Sequence, residues 1–181
     1  MLESQYEFTI IKDKDIDTYR KDFDKVDTVK LDLKKNKLSY PKFEELFDRL
    51  SRTKLSYFQL DLSNYGDLDN DKLSCIVKCI RNWNLKTLIL LFPHVKFTDP
   101  QFESLIFESI KTMTNLENLY LDLENINFDS NKMRTLERLI PKIKNLQNIF
   151  INIKANNLSK DEIAKLSKEL NHIPAREFIW E

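Results

Sequence analysis

Apolar residues recur along this chain on a fixed beat. In the stretch from Leu116 to Phe128 they fall at positions 1, 4, 6, 8, 11 and 13, as Leu116, Leu119, Leu121, Leu123, Ile126 and Phe128. The alternation Leu119/Leu121/Leu123 predicts a strand with one buried face. The same template fits Val26, Val29, Leu31, Leu33, Asn36, Leu38 and then Leu55, Phe58, Leu60, Leu62, Tyr65. It fits again at Leu85, Leu88, Leu90, Phe92, Val95, Phe97 and at Leu146, Ile149, Ile151, Ile153, Asn156, Leu158. A partial copy reads Ala175, Phe178, Trp180. The copies start at 26, 55, 85, 116, 146 and 175, so the period stays between 29 and 31 residues.

A helix is predicted inside each period. Phe43, Leu46, Phe47 and Leu50 make an i, i+3, i+4, i+7 stripe, and Leu73, Ile76, Val77 and Ile80 repeat it. In the third copy Asp99 is the expected N-cap with Pro100 in the first turn, ahead of Phe102, Leu105, Ile106 and Ile110. In the fourth, Met133, Leu136, Leu139, Ile140 and Ile143 form the stripe, and Pro141 is expected to kink or end the helix. The fifth opens on Ser159-Lys160-Asp161-Glu162, a capping-box pattern, before Ile163, Leu166, Leu170 and Ile173.

Self-similarity at this period is the mark of stacked repeats, and the L-x-x-L-x-L core resembles the leucine-rich repeat, in its ribonuclease-inhibitor-like branch. The resemblance covers residues 26–181, as about five full repeats and a partial one. It implies an α/β solenoid, a horseshoe with a parallel concave sheet and convex helices. The Asn that ends the family's strand motif is matched by Asn36, Asn125 and Asn156, while Pro93-His94-Val95 stands there in the third copy. Residues 1–25 depart from the template. Tyr6–Ile11 reads as a strand, and Ile16, Tyr19 and Phe23 recur at helical spacing. An N-terminal strand-helix cap is the expectation, with an arm docking elsewhere as the alternative.

Composition narrows the classes of function. Among 181 residues, 29 Lys and Arg balance 29 Asp and Glu. That argues against a nucleic-acid or anionic-membrane partner, which needs a basic surplus on one face. No apolar run approaches a membrane span and no leader pattern opens the chain, so a cytoplasmic location is expected. The single glycine, Gly66, leaves few ready sites for positive-φ turns and suggests wide loops.

Catalysis finds little footing. The two histidines, His94 and His172, are far apart; Cys75 and Cys79 lack further ligands for zinc; one glycine cannot make a phosphate-cradling loop. Asp67, Asp69 and Asp71 alternate as in a calcium loop but lack its glycine and bidentate Glu. No enzyme activity, cofactor, metal or small-molecule substrate is expected. Residues alternating with the buried strand positions predict two outward columns. One runs Lys30, Gln59, Ile89, Tyr120, Phe150, Ile179; the other runs Asp32, Asp61, Leu91, Asp122, Asn152, Glu181. Ile89, Leu91, Tyr120, Phe150 and Ile179 then form an apolar stripe, and Asp32, Asp61 and Asp122 an acidic one. Together they suggest a non-catalytic module that binds a protein partner through the concave sheet. A second reading is a structural subunit of a large cytoskeletal or ciliary assembly, held by its convex helices and by the edge at Phe178 and Trp180. A third, by analogy with the family, is an inhibitor or substrate receptor whose acidic column meets a basic region of an enzyme.

Overall fold

The computed structural model describes residues 5–9, 26–34, 38–66 and 68–180. Seven strands form one sheet in chain order, β1 (Gln5–Thr9), β2 (Thr28–Asp32), β3 (Tyr57–Asp61), β4 (Thr87–Leu91), β5 (Asn118–Asp122), β6 (Asn148–Asn152) and β7 (Ala175–Ile179). Every neighbouring pair is parallel. From β2 onward a helix returns the chain between strands: α1 (Tyr40–Leu50), α2 (Asn70–Arg81), α3 (Asp99–Phe102, continued by a π-helical segment Glu103–Glu108), α4 (Ser130–Leu139) and α5 (Lys160–Glu169). The expected α/β class is therefore present, with an all-parallel sheet. β1 extends that sheet and covers most of the predicted N-terminal strand; the helix expected around Ile16, Tyr19 and Phe23 lies outside the described residues, as does Asn36.

The core forms where strand and helix stripes meet. Val29, Phe58, Leu88, Leu119 and Ile149 are paired across neighbouring strands and are all buried, together with the predicted stripes of α1 and α2. Trp83 follows α2, sets its ring 4.5 Å from that of Phe58, and donates its indole N–H to the Leu50 carbonyl. A buried Trp at that site keeps its polar atom satisfied. Of the fifth stripe, Leu166 in α5 and Leu170 and Ile173 just beyond it are buried, while Ile163 is only half-buried.

Caps explain where the helices begin. Asp69 caps α2, Asp129 caps α4, and Ser159 with Glu162 makes the expected capping box of α5. At α3 the cap is Thr98 rather than Asp99: Thr98 and Gln101 form a capping box, and Asp99 becomes the first helical residue. Asp99 is freed to accept hydrogen bonds from Lys132 Nζ and Asn131 Nδ2, both 2.7 Å away, which ties α3 to α4. As the pattern predicts, α4 ends at Leu139, and Ile140–Lys142 around Pro141 is a tighter 3-10 turn.

Differences in repeat length have local explanations. Asn118 lies 19 positions after Asp99, whereas Asn148 lies 18 after Ser130. The π-helical segment absorbs that extra residue, since π-bulges accommodate single insertions without ending a helix. At the other end only 15 positions separate Lys160 from Ala175, so β7 pairs earlier than the period implies.

The turns overturn the expectation of wide loops. The residue three places beyond each of β3 to β6 has positive φ: Asn64, His94, Asn125 and Ala155. The N–H groups of the first three donate to Pro93, Glu124 and Lys154 in the next repeat, so the ladder continues past the strands. Tight left-handed turns are thus made mostly without glycine, and Asn is the residue best suited to that role.

Candidate functional site

Strand residues facing away from the helices form the sheet's open face. Register fixes its central column as Lys30, Gln59, Ile89, Tyr120, Phe150 and Glu177. The predicted place of Ile179 is corrected by two residues: Glu177, not Ile179, lies beside Phe150, and Ile179 pairs with Asn152 in the neighbouring column. A shift of two keeps every side chain on its face and moves it one step along the strand. The apolar run therefore stops at Phe150 and meets a carboxylate. Glu181, expected in the second column, lies outside the described residues.

Tyr120 and Phe150 stack with ring centroids 3.9 Å apart and planes within 9°. Strands about 4.8 Å apart with aromatics in register produce this geometry without rearrangement. Both rings and Ile89 are half-buried. Burial pushes the Tyr120 hydroxyl pKa up, and the charges of Asp122 and Glu177 add to it.

A third column, which the sequence reading passed over, runs beside the rings. Asn118 Nδ2 donates to Thr87 Oγ1 at 3.0 Å and Asn148 Nδ2 donates to Asn118 Oδ1 at 2.6 Å. Asn at the same position of adjacent copies was the available signal. These amides, the two rings, Ala175 and Glu177 line a depression of about 400 Å³.

The acidic column has a structural role that its spacing did not disclose. Asp32, Asp61, Asp122 and Asn152 accept hydrogen bonds from the backbone N–H two residues on, at Lys34, Ser63, Glu124 and Lys154. Each side chain closes the turn out of its strand as an Asx-turn. Lys34 Nζ also sits 2.8 Å from Asp61 and 3.8 Å from Asp32, so the two carboxylates at that end share one cation. Leu91 interrupts the series, being an apolar residue in the position of these acceptors. At the other end Asp122 accepts from Asn152 Nδ2 and has no described basic partner; burial raises its pKa, opposed by the Glu124 N–H.

Other candidates lie elsewhere. Phe178 is half-buried against the core, and Trp180 is exposed at 45%, its ring 5.4 Å from Phe178. His94 occupies a left-handed turn with its Nδ1 2.8 Å from Asn125 Nδ2, and His172 is exposed in a 3-10 turn. Cys79 is buried, which pushes its thiol pKa well up; Cys75, half-buried, also lies high for the same reason. Neither is activated as a nucleophile. Among the described residues no three His, Cys, Asp or Glu side chains are grouped to hold a metal ion, and no helix is long and apolar enough to cross a membrane.

No protein-family model matches the chain. Comparison with curated proteins finds no match either.

Proposed function

We propose that the chain is a leucine-rich-repeat solenoid of the horseshoe type, acting in the cytoplasm as a non-catalytic module that binds a protein partner through its open sheet. The observation that carries this reading is the stacked pair Tyr120–Phe150, continued by Ile89, on a sheet face that no described helix covers. Aromatic anchors with a polar surround concentrate binding energy in protein interfaces. Here the surround is the Asn118–Asn148 ladder on one side and Asp122 with Asn152 on the other. The parallel sheet in chain order and the near-constant register offset support the repeat reading, since each unit buries its apolar face only against its neighbours. Leu91 and Ile179 belong to the same surface as flanking apolar contacts, and Asp32 and Asp61 contribute mainly by shaping its turns.

The test is quantitative cross-linking and pull-down from cells of the protein's own source. Tyr120→Ala and Phe150→Ala are each expected to weaken capture of a stoichiometric partner at least about tenfold, as truncation of an interface hot spot does. Arg134→Ala on the exposed surface of α4 should leave capture intact. Equal capture by all three variants would refute the open-face reading. A structural-subunit reading is favoured by one observation, the exposed Trp180 beside β7 at the edge of the described sheet. In that case Trp180→Ala, and not the ring variants, should release the protein from a large particle.

A further inference from the structure

We infer that the depression beside Phe150 is an arginine slot: the partner inserts a guanidinium between the Phe150 ring and the Glu177 carboxylate, with Asn148 Oδ1 as a further acceptor. This rests on the open-face reading above and names the chemistry of what binds there.

Three observations converge. Phe150 has one ring face stacked on Tyr120, while the strand on its other side carries Glu177 directly opposite in register. Adjacent strands alone leave about 4.8 Å between backbones, and Glu177 is exposed, so its carboxylate is free to swing and admit a planar cation over the ring. A guanidinium is flat, weakly hydrated and suited to stacking on aromatic faces while its edge N–H groups donate to oxygens. An ammonium offers no such plane.

The acceptors are in place. In the amide ladder Asn148 spends its Nδ2 on Asn118, and no described donor occupies its Oδ1. Asn148 lines the same depression as Phe150 and Glu177. One edge of a guanidinium can therefore reach the amide oxygen and the carboxylate while its plane lies on the ring.

Glu177 is the one carboxylate among the described residues lining the slot. Glu177, Asp122 and Glu124 have no ion pair with any described Lys or Arg, in contrast to Asp32 and Asp61, which share Lys34. Arg176 also lines the depression, and its Nη1 is engaged by the carbonyls of Ile173 and Asn171. Burial raises the Tyr120 pKa first, and the charges of Asp122 and Glu177 add to the rise. The occupant is accordingly a peptide segment with an arginine at its centre, since an aromatic face beside a carboxylate and an amide oxygen offers acceptors and no anion-binding group of its own.

The test uses the full chain labelled for NMR and three short blocked peptides that differ only at the central residue, as arginine, lysine or citrulline. Citrulline keeps the shape and removes the charge. The arginine peptide is expected to produce saturable shifts confined to the Asn118 and Asn148 side-chain amides and the Tyr120 and Phe150 rings. Citrulline should bind about tenfold or more weakly, as loss of charge-assisted hydrogen bonds implies, and lysine should be intermediate. Glu177→Gln, an exposed near-isosteric change, should erase the arginine preference, with the circular-dichroism melt as control for folding. Equal affinity for arginine and citrulline, shifts elsewhere on the surface, or no saturable shift at the solubility limit of the arginine peptide would each overturn the slot. If native-partner capture depends on Tyr120 and Phe150 but not on Glu177, the slot fails and the open-face reading stands. If capture depends on none of them, both fail.

Discussion

Asn156 shows how much one side chain does at the turn after β6. Its Oδ1 accepts from the N–H groups of Ile126 and Phe128, and its Nδ2 reaches the carbonyls of Leu123, Ile153 and Lys154 at 2.9 to 3.0 Å. It therefore satisfies backbone groups of two successive repeats. Asn156→Ala should cost about 2–4 kcal/mol, because several partly buried groups lose their partner at once. Asn125 is exposed in a left-handed turn, and Asn125→Ala should cost no more than about 1–2 kcal/mol. Ala155 holds the equivalent left-handed conformation with a Cβ and no side-chain compensation. Ala155→Gly is expected to stabilise by about 0.5–1 kcal/mol, since relief of that strain exceeds the added chain entropy. Urea unfolding of the three variants orders them. Asn125 stands one template position before Asn156, nine residues after Leu116 against ten after Leu146, so Asn125 corresponds to Ala155 and Ile126 to Asn156.

At the scale of elements, the capping residues link helix to helix and make stability depend on pH. Glu162 completes the capping box of α5, and the Ser130 hydroxyl at the start of α4 also donates to it. The Ser130 hydroxyl and the N–H and hydroxyl of Ser159 lower the Glu162 pKa from 4.5 to about 2. The folded pKa lies below the unfolded one, so the contribution is complete above about pH 4.5 and disappears as pH falls towards 2. Asp99 is depressed in the same direction, first by its hydrogen bond from Lys132 and then by that from Asn131. Asp122 works the other way: its raised pKa makes its charge a burden at neutral pH that protonation relieves. The thermal midpoint of Glu162→Gln, followed from pH 7 to pH 2, should start lower than that of the parent and fall less steeply through the acid range. Parallel curves would show that the cap carries no charge-dependent stability.

For the whole molecule, burial is uneven from one strand and its helix to the next. The middle strands are flanked by well-buried helices, whereas α5 buries Leu166 alone within its span and β7 has three exposed residues followed by two half-buried ones. In a nearest-neighbour array, opening starts where a unit has least to lose. Amide hydrogen exchange should show β7 opening at least about 2 kcal/mol more easily than β5. Binding of the arginine peptide at the slot, which spans β6 and β7, should slow that exchange by mass action. Uniform protection from β5 to β7 would mean that the sheet opens as one unit.

The sequence by itself determined the repeated strand and helix, their order, the buried stripe of each and the aromatic pair Tyr120–Phe150, because periods of 2 and 3.6 are imposed by backbone geometry on any chain that buries one face. It also placed the capping box at Ser159 and the helix end before Pro141, since both depend on neighbours within a few residues. The tertiary structure alone decided the rest. It put Glu177 beside Phe150 by shortening the last return, turned the acidic column into turn closures with Lys34 between Asp32 and Asp61, and gave Thr98 the cap that Asp99 resembled. Register and hydrogen-bond partnership are long-range quantities, fixed by how many residues a helix and its loops consume between strands and by which donor arrives within reach. No local pattern records them, and the proposed binding chemistry depends on them.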